Sequence, residues 1–102
     1  MNTIKKMVKM NNIELAKNPL TSEETLTELA KDTDDIIRQE VAYNINTPSA
    51  TLSMLAMDKK ATIRYIVAGN PSTPPATLYK LSKDNDRDVR KVALYQITNE
   101  IL

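Results

Sequence analysis

Three aspartates and three arginines recur at one spacing: Asp32 with Arg38, Asp58 with Arg64, Asp84 with Arg90. A guanidinium presents a rigid fork of donors that fits either a phosphate or a carboxylate, so such a row admits two chemistries. One is a phosphate-reading surface. The other is a ladder of Asp–Arg hydrogen bonds that ties each inter-helix turn to itself or to its neighbour. The ladder explains both columns at once, and we adopt it.

Other reactive constellations are thin. Asp84, Asp86 and Asp88 alternate as in a calcium loop, but the glycine and the distal glutamate such a loop needs are missing. The chain has no cysteine and no histidine. That removes disulfides, thiolate nucleophiles, iron–sulfur clusters, Ser-His-Asp triads and nearly every zinc site. The remaining carboxylates fall at helix starts and on helix surfaces, where the helix dipole already accounts for them. The expectation is a protein without catalytic residues, metal or cofactor.

A row of tyrosines has more to offer. At helical spacing, positions 35, 39 and 43 share a face, as do 61, 65 and 69, and 87, 91 and 95. The stripe so formed holds Gln39 and Tyr43, then Tyr65 and Gly69, then Arg87, Lys91 and Tyr95. Tyrosine and arginine are the residues enriched at binding hot spots, and Gly69 leaves a notch between two tyrosine-bearing segments. Two readings stand: the stripe is a partner-binding surface, or its rings merely cover the helix ends.

These residues must be positioned by something regular, and the chain supplies it. Shifted by 26 residues it falls on itself: Asn18, Asn44 and Asn70 coincide, as do Thr21, Thr47 and Thr73, and Leu26, Leu52 and Leu78. A fixed period held over three copies marks a repeat array whose units bury their apolar sides by stacking. The copies are 18–43, 44–69 and 70–95 within a single domain of 1–102. Residues 1–17 read as an N-terminal partial copy and 96–102 as a C-terminal one.

Each copy reads as two helices of about three turns. Thr21, Thr47 and Thr73 are expected to cap the first helix, with Pro48 and Pro74 at its first position and Thr21 and Glu24 as a capping box. Its apolar residues are three apart: Leu26 and Leu29, Leu52 and Leu55, Leu78 and Leu81. Asp34 and Asp86 are expected to cap the second helix, where Lys60 breaks the rule. Ile37, Ile63 and Val89, each with the residue four further on, form its buried stripe. Ala42 and Ala68 would let neighbouring helices approach closely. Leu15 and Ala16 fall in the same columns, so 3–17 reads as a second helix without its first. Ile97, Ile101 and Leu102 are expected to fold over the last pair.

Composition agrees. One glycine is too few for sheets and tight hairpins, and four tyrosines are the only aromatic residues. Formal charge is +1, but residues 14–40 carry eight acids against three bases and 58–91 eight bases against four acids. No segment approaches membrane-spanning length and no apolar stretch follows the early lysines, so a cytoplasmic address is the default expectation.

The composite Asn-Pro-x-Thr-Pro-x-x-Thr-Leu-x-x-Leu-Ala-x-Asp, followed by Val/Ile-Arg-x-x-Val-Ala, resembles the variant leucine-rich repeat family. Asn70 to Leu81 is the nearest stretch, and Asp84 to Ala93 completes it. The resemblance covers roughly 8–95 and implies a short right-handed α-solenoid of paired helices. The Asp-x5-Arg spacing also looks like the HEAT class, whose second helices line a concave surface. One member of the variant family carries an iron–sulfur module on a cysteine cluster, which this chain cannot hold.

The function expected is a non-catalytic scaffold that binds a protein partner through the second-helix face, as a monomer or weak homodimer. The alternative is a nucleic-acid-binding module using the basic C-terminal half.

Overall fold

The leucines spaced three apart build a short helix in every copy. In the computed structural model, which describes residues 2–101 and the side chains of 3–99, these are α2 (Glu23–Leu29), α4 (Ser49–Leu55) and α6 (Pro75–Leu81). Longer helices alternate with them: α1 (Asn2–Lys17), α3 (Asp35–Tyr43), α5 (Ala61–Gly69) and α7 (Arg87–Ile101). The protein is all-α, and no strand occurs among the described residues.

The long helices pack in sequence, α1 on α3, α3 on α5, α5 on α7. Each short helix lies against the long helix before it and the one after it. The buried set is what this arrangement demands: Leu26 and Leu52 from the short helices share one core with Ile37, Val41, Ile63, Val67, Val89 and Ala93 from the long ones, and Leu78 is buried as deeply. Fully burying one such leucine is worth about 1.5–3 kcal/mol. Ala16, Ala42 and Ala68 are completely inaccessible, and their small size sets the close spacing of the long helices. The molecule is drawn out, measuring 50 × 26 × 16 Å.

Between copies the asparagine column does the joining. Asn44 Nδ2 donates to the carbonyls of Ala16 (2.9 Å) and Asn18 (3.0 Å), and Asn70 Nδ2 to those of Ala42 (2.8 Å) and Asn44 (3.0 Å). The helix-end carbonyls of Ala16 and Ala42, which have no intrahelical partner, are thereby satisfied. The same side chains use Oδ1 to accept from the backbone two residues on, Asn46 and Ser72, which tightens the turn.

Several local expectations change. Thr21, Thr47 and Thr73 are not caps. Their hydroxyls donate backwards, to the carbonyls of Leu15, Val41 and Val67. The caps lie one residue later, at Ser22, Pro48 and Pro74, and Pro75 takes the first helical position. Ser22 accepts from Thr25 N at 3.2 Å, so the Thr21–Glu24 box does not form. A hydroxyl both donates and accepts, and here it gives its proton to a last-turn carbonyl of the preceding helix that also accepts from the asparagine amide three residues on. The short helices have seven residues and α3 and α5 nine, fewer than three turns.

Asp34 and Asp86 do cap α3 and α7, and Lys60 gives α5 no side-chain cap. No further copy begins at Gln96: α7 runs on through Ile97, which is partly buried within it. Gln96 and Ile97 stand where earlier copies have Asn-Pro or Asn-Ile, so no asparagine carboxamide pins a turn there. The expected cover by Ile101 and Leu102 lies outside the described side chains.

Candidate functional site

Arg38 and Arg64 each leave the first turn of a long helix and reach the turn of the following copy. Arg38 Nε donates to Asp58 Oδ2 at 2.8 Å and Nη2 to Asp58 Oδ1 at 3.3 Å. Arg64 grips Asp84 in the same way, at 2.8 and 3.1 Å. The Nη1 of each turns back to the carbonyl six residues earlier, Asp32 for Arg38, Asp58 for Arg64 and Asp84 for Arg90. The carboxylate taken is thus that of the next copy, and the within-copy aspartate contributes its backbone oxygen.

The pairs are nearly dry, with side chains 9 % exposed at both Arg38 and Asp58. Burial pushes the Asp58 and Asp84 carboxyls up, but the guanidinium hydrogen bond, a backbone amide and the neighbouring positive charges outweigh it. Both acids are held below the usual carboxylate range. The Asp84–Asp86–Asp88 alternation is used up differently from a calcium loop: Asp84 binds Arg64, and Asp86 caps α7. Among the described residues no three potential metal ligands cluster.

The stripe divides. Tyr43 and Tyr65 both line a groove of about 340 Å³, together with Ile66, Gly69, Asn70, Pro71 and Val92. Both rings are substantially exposed, at 59 % and 45 %. Gln39 lies apart, in a small depression with Asp35, Lys60 and Ile63. Arg87, Lys91 and Tyr95 are exposed on α7 and line neither the groove nor the depressions beside it.

Gly69 is the informative member. It ends α5 with an ordinary negative-φ backbone, so its conformation does not require glycine. A Cβ placed on it would meet Val92 Cγ1 at 3.8 Å, an ordinary contact. Glycine costs roughly 0.5–1 kcal/mol against alanine in the middle of a helix, and less at a last helical residue such as Gly69. Neither backbone conformation nor packing requires the chain's one glycine at this place.

Tyr65 also borders a second depression, of about 240 Å³, lined by Ala61, Thr62, Asp86 and Asp88. Helical spacing singles out the bases Arg87 and Lys91 and not these acids. Their signal was their place on the face of α7 that carries Val92, four residues after Asp88. A larger hollow of about 610 Å³ lies between α4 and α6, with Met54, Met57 and Leu81 along it. The small side chains of the alanines at 50, 56 and 76 leave that space unfilled, and Ser53 and Thr77 bridge the two short helices at 2.7 Å.

No helix of the described residues is long and apolar enough to cross a membrane. Compared with models of protein families, with curated proteins and with solved structures, the chain matches none.

Proposed function

We propose that the chain is a short right-handed α-solenoid of 26-residue two-helix repeats, akin to the variant leucine-rich repeat and HEAT-like arrays, and that it serves as a non-catalytic scaffold for a protein partner. The observation that carries this reading is the apolar groove lined by Tyr43 and Tyr65, at which the chain's one glycine stands although neither its backbone conformation nor its packing requires it. Two large amphipathic rings flanking an apolar notch are what a buried anchor residue of a partner needs.

Nucleic acid is less well supported. Arg38 and Arg64 are committed to carboxylates, Lys60 pairs with Asp35 at 2.8 Å, and the depression next to Tyr65 is acidic. A phosphate backbone would meet those carboxylates where the tyrosines are.

The test is capture from the native host with wild type, Tyr43→Ala and Tyr65→Ala in parallel, nucleic acid being assayed separately. The variants should keep their helical circular dichroism and lose the captured protein, with little effect of moderate salt. Capture unchanged by both substitutions would overturn the proposal. So would bound nucleic acid that dissociates steeply with salt, as counterion release requires.

A further inference from the structure

At equivalent places along the long helices, each helix faces the next across one pair of residues. Between α1 and α3 the pair is Lys9 and Asp34, at 2.9 Å; between α3 and α5 it is Asp35 and Lys60, at 2.8 Å. Both pairs have the same sequence offset and opposite polarity. Carried one copy further, the pair between α5 and α7 is Ala61 and Asp86. Alanine stands where a basic residue would complete the series, and the depression beside Tyr65 opens there, with Asp88 as its second carboxylate. Arg64, the nearest base on α5, is held by Asp84 and Asn85.

Resting on the scaffold reading above, we infer that the partner is a polypeptide segment with a lysine or arginine that enters this depression and pairs with Asp86 and Asp88, while a neighbouring apolar side chain sits between Tyr43 and Tyr65. The incoming cation takes the part that Lys9 and Lys60 play in the earlier pairs. Charge complementarity thereby selects a basic segment over an acidic one. It also sets the direction of docking, with the charged contact towards the N-terminus of α7 and the apolar one beside Gly69. From Thr62 to Gly69 is about 10 Å at 1.5 Å per helical residue. An extended segment covers that in about three positions at 3.3 Å each, which fixes the motif: a base about three residues from an apolar anchor.

The experiment selects a display library of short random peptides on the full chain and counter-selects on Tyr65→Ala. The inference expects retained peptides to carry Lys or Arg near an apolar residue. Exchanging that base for alanine, or introducing Asp88→Asn, should weaken binding about tenfold or more, tenfold being the lower end for close charge pairs across an interface. Asp86→Asn should act likewise without loss of fold, since asparagine caps a helix as well as aspartate. A peptide with glutamate in place of its base should regain binding to Asp88→Lys. If Tyr65-dependent peptides emerge with no preference for a base, the inference fails and the scaffold reading stands. If no peptide depends on Tyr65, both fail.

Discussion

Removing Arg64 gives the sharpest measure of what the inter-copy ladder contributes. Arg64→Ala deletes two bonds to Asp84, one to the Asp58 carbonyl at 2.7 Å and one to Asn85 at 3.2 Å. The larger loss is on the other side, because Asp84, only 9 % exposed, keeps its charge and loses its partner. Breaking a buried pair from one side costs about 3–5 kcal/mol. The Asp86 amide still donates to Asp84 at 2.9 Å, which places the expected cost near the lower figure. For a domain of this size about 3 kcal/mol lowers Tm by roughly 12–24 °C. Chemical denaturation followed by circular dichroism at 222 nm would read it. Arg38→Ala should behave alike, and Arg90→Ala should cost clearly less, because Arg90 bonds only the Asp84 carbonyl among the described residues. Lys60→Ala, which breaks an exposed pair, should be hard to distinguish from wild type. Adding Asp84→Asn to Arg64→Ala removes the orphaned charge and should recover part of the loss, giving a coupling energy from the double-mutant cycle. Wild-type stability in Arg64→Ala, with partner binding lost, would refute the reasoning and make the arginines a functional row.

Leu52→Ala or Leu78→Ala, at fully buried positions, should each cost about 2–5 kcal/mol, measured in the same denaturation assay. Gly69→Ala should stabilise the fold by up to about 1 kcal/mol while weakening partner binding through the narrowed groove; calorimetry and a binding titration on one sample would show both. Acid should act through Asp58 and Asp84: their folded carboxyls titrate below the unfolded value, so their contribution is complete above it and fades as pH falls through the depressed folded values. An unfolding series from pH 6 to pH 2 should show that loss in wild type and a smaller one in Asp84→Asn.

The apolar skeleton could be read from residue order because periodicity fixes which face a residue occupies. Leu26, Leu29, Ile37 and Val41 and their equivalents needed no more than that. The ladder could be anticipated as a set of partners, but its connectivity could not. In an array with a 26-residue period, an aspartate six residues back and one 20 residues ahead belong to the same column. Spacing cannot separate the two, and only the reach of the guanidinium decides. Thr21, Thr47 and Thr73 were misread for a related reason. Whether a hydroxyl accepts from the helix ahead or donates to the one behind depends on which backbone group the folded turn brings within its reach. In the candidate site, Tyr43, Tyr65 and Gly69 stood out by spacing. Ile66 and Val92 resemble any core residue, and Asp88 lies one helical step from the bases that drew attention instead.

The joints between copies have a direction. Asn44 and Asn70 hold on backwards, to the opening asparagine of the copy before and to the helix end preceding it, whereas Arg38 and Arg64 hold on to the copy after. Each internal unit therefore carries half of two different fasteners, and any two units fit only in one order. A duplicate of residues 44–69 spliced after Gly69 would find a mate for each of these fasteners, whereas an insert of any other length would put them out of step. Growth and shrinkage by whole units is thus an inherited property of the joint, and the surface gains or loses one tyrosine-bearing segment with each step.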